Sequence, residues 1–178
     1  MEKVSQGFTL IELLVTLAVA GVLLAVGVPG FTKLIKDNRL ATSVNELAGS
    51  LSLARMEAVR RGARVVMCKS DDQSTCSTST GVGWRDGWLI FVDKDADDVV
   101  DSTGSDPEPV VQKHAALDEG VTVSPSSTLS NRIRFRASGR PMESGSFTVC
   151  DDRQGSYGRM LQIDGTGRVR LLKDQTCS

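Results

Sequence analysis

Phe8-Thr9-Leu10-Ile11-Glu12-Leu13-Leu14-Val15 sets one carboxylate, Glu12, into an otherwise uninterrupted apolar run. From Leu13 to Phe31 no residue is charged. These 19 positions, at ~1.5 Å of helical rise each, match the hydrocarbon core of a bilayer. A carboxylate at the centre of a membrane costs roughly 3 kcal/mol, and such groups usually carry a partner or a function. Glu12 therefore calls for a cation. An α-amine suits it, if the chain is cut between Gly7 and Phe8 and Glu12 of one copy faces Phe8 of another.

A secretory signal peptide fits the segment poorly. It would need a basic start, a shorter apolar core and a small-residue cleavage site after that core. Here Glu2 offsets Lys3, and Glu12 interrupts the run. A plain single-span anchor fits the hydropathy but leaves Glu12 unexplained. Lys33, Lys36 and Arg39 outnumber Lys3, so the positive-inside tendency taken alone would keep the large domain in the cytoplasm. The cysteines argue for the opposite side.

The 178 residues leave about 145 beyond the apolar run, the size of one domain with its own core. The formal net charge of −1 conceals an asymmetry. Residues 71–120 hold twelve acidic and three basic side chains, whereas 1–70 and 121–178 each hold nine basic and five acidic. Four cysteines behind an export segment favour disulfides. Three pairings are formally open, and the local one is preferred: Cys68 with Cys76 around a short polar loop, Cys150 with Cys177 tying the C-terminal tail to an inner strand. Zinc is disfavoured, because no Cys-x-x-Cys occurs and His114 is the sole histidine. Catalysis has little support either: a lone histidine in a strand-like stretch gives a nucleophile no base, and no phosphate-cradling glycine loop occurs. No enzyme activity, cofactor or metal is expected.

Beyond the apolar run, Leu40, Val44, Leu47, Leu51, Ala54 and Ala58 recur at steps of four and three, one stripe on one helix. Gly62 supplies a C-terminal stop. The helix is expected over 8–61, with Pro29 kinking or locally melting it. After Gly62 the chain reads as short strands, at 64–69, 87–93, 109–113, 120–124, 132–136, 146–150, 159–164 and 168–172, separated by Gly, Ser, Asp or Pro. Gly165-Thr166-Gly167 should link the last two as a hairpin. The fold class is α+β: a long N-terminal helix, transmembrane and then amphipathic, packed on an antiparallel β-sheet domain.

The string GFTLIELLVTLAV resembles the class III leader and N-terminal helix of type IV pilins and pseudopilins. LSLARMEAVRRGARVVMCKS, GWLIFVDKDADDVVD, FRASGRP and GTGRVRLL resemble one branch of that superfamily, the GspH/FimT (FimU-like) pseudopilins and minor pilins. The resemblance implies a leader over 1–7, a transmembrane and filament-core half of the helix over 8–34, an amphipathic half over 35–62 and a periplasmic β-rich domain over 63–178. It further implies cleavage after Gly7 by a prepilin peptidase, methylation of Phe8, and assembly through Glu12 and Pro29. The implied partners are other pilin subunits, the peptidase, an inner-membrane assembly platform and inner-membrane lipid. The implied product is a subunit of a type II secretion pseudopilus or a type IV pilus, held as a single-pass bacterial inner-membrane protein until assembly.

Two constellations invite other chemistry. Asp93, Asp95, Asp97, Asp98 and Asp101 suggest calcium, but Asp98 stands where an EF-hand needs its turn glycine and Gly104 where it needs a bidentate Glu. An acidic hairpin loop fits better. Arg132, Arg134 and Arg136 alternate with Ile133 and Phe135, and Arg168 and Arg170 flank Val169, so each strand would line its arginines on one face. If these strands share a sheet face, with Arg140, Arg159 and Lys173 nearby, a basic surface able to meet double-stranded DNA results. Gly167-Arg168-Val169-Arg170 resembles an element of FimT-like minor pilins that bind DNA during natural transformation, which gives the alternative function. Against it, these arginines have acids at hand in Asp151, Asp152 and Asp164. Tyr157 is the one nearby ring, so no stacking platform for single strands is expected. Trp84 and Trp88 read as packing residues.

Overall fold

A computed structural model describes residues 8–101, 103 and 107–177; the leader, with Gly7, lies outside the described residues. The chain divides into two units, Met1–Asn38 and Arg39–Ser178. One helix, α1 (Leu10–Arg61), contributes residues to both.

In the first unit, the Thr9 hydroxyl accepts the Glu12 amide N–H at 3.3 Å, a start signal reinforced by an acidic residue in the first turn. Leu10, Ile11, Leu17, Leu23 and Phe31 are all exposed. The helix is long and apolar enough to cross a membrane. It stays helical through Pro29, so the expected local melting does not occur. A proline deletes one backbone donor and leaves the ladder on either side intact; one turn on, the Thr32 hydroxyl donates to the Pro29 carbonyl at 3.0 Å.

In the second unit, the stripe from Leu40 to Ala58 is buried throughout. Gly62, at φ +61°, ends α1 in the left-handed region that glycine enters without strain. Among the described residues eight strands follow: β1 (Arg64–Lys69), β2 (Trp88–Asp93), β3 (Val110–His114), β4 (Thr122–Pro125), β5 (Arg132–Phe135), β6 (Gly145–Cys150), β7 (Gly155–Ile163) and β8 (Val169–Cys177). They form two antiparallel sheets rather than one, ordered β3-β2-β1-β5 and β4-β6-β7-β8. The main core joins the helical stripe to Val65, Met67, Trp88, Ile90, Ile133 and Phe135 of the first sheet and to Phe147, Val149, Leu161 and Ile163 of the second.

β1 and β2 are buried on both faces, which is why their sequences run apolar instead of alternating. Their second face, Val66, Cys68, Leu89 and Phe91, packs with Cys76 of the disulfide-closed loop and Val100 of the acidic loop. Both tryptophans are core residues. Trp84 donates its indole N–H to the Leu129 carbonyl at 2.9 Å and meets Phe147 edge-on, and Trp88 stacks on His114 at 3.8 Å.

Candidate functional site

At the start of α1, Phe8 is 80 % exposed and Glu12 is exposed. Among the described residues the Glu12 side chain has no hydrogen bond or ion pair. A solvent-facing apolar helix with one unneutralised carboxylate near its start is the first candidate site.

The arginines split between the two sheets, so the single basic face expected from the sequence is not formed. On β5, Arg132 and Arg134 lie opposite Cys68 and Val66, and therefore on the face that the acidic loop covers. There Asp98 accepts Arg132 at 2.9 Å and Arg134 at 3.1 Å, and also pairs with Arg64. Glu143 takes Arg134 from its other side, receiving the Nε–H at 2.6 Å and the backbone N–H at 3.1 Å. Arg64 also meets the buried Asp93 at 3.0 Å. Three guanidiniums facing three carboxylates form a neutral network of partly buried groups, and no exposed cationic surface. Arg136, beyond the end of β5, is exposed.

The β7–β8 hairpin keeps its arginines outward. Ile163 pairs with Val169 across it, Val169 packs on the core, and Arg168 and Arg170 are exposed. Their side chains form no hydrogen bond or ion pair among the described residues, nor does that of Lys173. The acid expected to neutralise them shapes the turn instead. Asp164 accepts the Thr166 hydroxyl at 2.5 Å, the Thr166 N–H at 2.8 Å and the Arg168 N–H at 3.1 Å. The Thr166 hydroxyl, and then the Arg168 N–H, hold its carboxyl below the usual carboxylate range. Asp151 is engaged by Arg153, at 2.5 Å for the closest contact. Two further arginines converge on the turn: Arg55 of α1 donates to the Gly167 carbonyl at 3.0 Å, and Arg140 to that of Gly165 at 3.4 Å. Gly167, at φ +80°, has no room for a side chain, since a Cβ there would lie 2.6 Å from the Gly139 carbonyl. Arg55 could not be singled out from the sequence, where it is one more polar residue off the helical stripe.

The acidic loop is organised by its own carboxylates. Asp93 accepts the Ala96 and Asp98 amides, and the buried Glu108 accepts those of Lys94 and Asp101. Each of these oxygens replaces a backbone partner the loop lacks. Asp95, Asp97 and Asp101 stay exposed. The disulfides are Cys68–Cys76 and Cys150–Cys177. Within the first loop, Asp72 receives the Thr75 and Ser74 amides and the Thr75 and Ser70 hydroxyls, and these donors hold its carboxyl well below the usual range, the Thr75 amide most of all. Buried Lys69 donates to the Ser79 and Val82 carbonyls, each at 2.8 Å, and so holds the following segment down.

Residues 43–167 match the profile of the family described as Type II transport protein GspH, and residues 3–28 match the prokaryotic N-terminal methylation motif. The chain belongs to the GspH family. This GspH-family chain is 38 % identical over 93 residues to the pilin-like protein PilA1 of Thermus thermophilus, covering 51 % of this chain and 50 % of that protein. It is 33 % identical over 81 residues to the type IV major fimbrial protein FimA of Dichelobacter nodosus, covering 46 % and 48 %. It thus spans about half the length of the curated relatives it matches. In fold it is similar to the type IV minor pilin FimU of Pseudomonas aeruginosa, with a TM-score of 0.59 at 23 % identity over 79 % of this chain and 96 % of that one. It is also similar to the minor pseudopilin EpsH from the type 2 secretion system of Vibrio cholerae, with a TM-score of 0.52 at 13 % identity over 76 % and 97 %. The fold class read from the sequence, a long helix with antiparallel β-structure, is the fold these proteins share.

Proposed function

We propose that this chain is a minor pilin or pseudopilin, a structural subunit of a type IV pilus or a type II secretion pseudopilus. One observation carries the reading: a match to the methylation motif over residues 3–28 covers the start of a solvent-facing apolar helix whose Glu12 side chain has no partner among the described residues. In this reading residues 1–7 are removed by a prepilin peptidase after Gly7 and Phe8 is methylated. Residues 8–34 anchor the subunit in the inner membrane and later line the filament core, 35–62 form the amphipathic half of the helix, and 63–178 form the periplasmic domain. Glu12 neutralises the α-amine of a neighbouring subunit, because a charge in an apolar bundle is stable when paired. Pro29 lacks the amide that would bond four residues back, and so gives the helix a point of yield during extraction. The work is assembly and involves no catalysis.

The test is coexpression of the full chain with a prepilin peptidase, followed by intact mass and filament fractionation. The expected product lacks residues 1–7 and carries one added methyl group. Glu12→Ala should be cleaved normally but fall at least tenfold in the filament fraction, the loss corresponding to an unpaired charge worth about 1.4 kcal/mol or more. An uncleaved chain, or unchanged incorporation of Glu12→Ala, overturns the reading.

A second reading, DNA binding during uptake, is favoured by the outward arginines of the β7–β8 hairpin. Detergent-solubilised full chain should shift double-stranded DNA without sequence preference, and binding should weaken steeply as salt rises. Arg168→Gln/Arg170→Gln should lower the salt slope by about 2 if each arginine meets one phosphate. Absence of a shift at low salt removes this reading and leaves the structural one.

A further inference from the structure

We propose that the groove between α1 and the start of β8 receives the acidic 95–101 loop of a second copy of this chain. The groove encloses about 540 Å³. Met56, Val59 and Val169 supply its apolar lining, and Arg55, Arg60 and Arg168 its polar lining. Met56 is 58 % exposed and Val59 55 %, an apolar pair facing solvent off the buried stripe of the helix. Among the described residues Arg168 has no ion pair, and Arg60 shares Glu57 with Arg61, so the rim carries excess positive charge. An occupant of matching chemistry presents a small apolar side chain between carboxylates.

The chain carries such a segment itself. Val99 is 53 % exposed, and Asp97 and Asp101, also exposed, stand two residues to either side of it. The loop is held in shape before any contact. Val100 packs under it, Asp98 is fixed by three arginines, and the Val99 N–H donates to Asp97 at 2.7 Å. A preformed loop loses little entropy on docking. Exposed ion pairs contribute little each, so a single contact is weak. Confinement of the copies to one membrane or filament raises its effective concentration.

The experiment uses the full chain expressed in bacterial membranes, with a photoactivatable phenylalanine in place of Met56. The expected product is a covalent dimer whose adduct maps to residues 95–101 of the second copy. Arg168→Glu alone and Asp101→Lys alone should each lower the dimer yield about fivefold, because each places like charges together. Both changes on one chain should restore the yield, which also shows that neither variant fails to fold. Adducts solely with lipid or with another protein, adducts elsewhere on the second copy, or no recovery in the double variant overturn the proposal. The inference rests on the subunit reading only in that copies share a membrane. Loss of the adduct while filament entry still depends on Glu12 overturns the contact alone; a surviving adduct with no such dependence overturns the subunit reading alone.

Discussion

Glu57 is buried near the end of α1, where the helix dipole disfavours a carboxylate, and it persists there because two arginines hold it. Arg60 donates at 2.7 and 3.0 Å and Arg61 at 2.6 Å. The Arg60 hydrogen bonds foremost, and then those of Arg61, lower its pKa from 4.5 to about 2. Because the folded-state value is the depressed one, the stabilisation is complete above about pH 4.5 and is lost as pH falls toward 2. Glu57→Gln should melt earlier than the parent at neutral pH, and the gap should close on acidification to pH 2; a gap independent of pH would refute this role. Gly158 is equally constrained, for a spatial reason. A Cβ there would lie 2.7 Å from the Cys177 sulfur and 2.9 Å from the Gln175 carbonyl. Gly158→Ala should cost about 1–3 kcal/mol by overpacking, and the deficit measured by denaturant melts should shrink once the Cys150–Cys177 bridge is reduced. Neither role is visible in the sequence, where Glu57 is one polar residue among many on the helix and Gly158 one of 17 glycines.

Among elements, the turn of the β7–β8 hairpin is organised by one side chain. Three donors converge on Asp164, so the turn is set by a carboxylate and by glycine at 167. Asp164→Ala should raise amide hydrogen exchange at Thr166 and Arg168 while leaving the β6 amides protected; unchanged exchange at the turn would show that glycine alone suffices. The elements themselves were largely legible. The helical stripe and the strand cores stand where periodicity and turn residues set them. Division of the strands into two sheets was not legible, because β-pairing leaves no trace in local periodicity. Of the two effects expected of Pro29, the local melting does not occur for a related reason: a proline marks a lost hydrogen bond, and whether the helix continues depends on its neighbours.

For the whole molecule, the charge asymmetry that stood out in the sequence has a partial structural resolution. Asp98 of the acidic middle lies over Arg64 from before it and over Arg132 and Arg134 from after it. The sequence showed opposite charges in separate segments but not their pairing, which is made across 34 and 36 positions. That is why the sequence could group the β5 arginines with those of the hairpin on one conditional basic face, although only Arg168 and Arg170 carried a motif. The membrane-length apolar helix and the methylation motif were legible because a long apolar run with one carboxylate is a contiguous signal.

The bridge from Cys150 to Cys177 also bears on strand exchange. β8 is nine residues long and stands at the rim of its sheet, the kind of strand that one molecule can trade with another. Its far end is sewn to β6, and its near end is continuous with β7 through the turn, so the last two strands form a covalently closed ring with β6 at its base. The terminal strand cannot be handed to a neighbour by itself without opening a bond. In oxidising surroundings β8 therefore stays with the β6 end of its own chain, however densely the copies are crowded together.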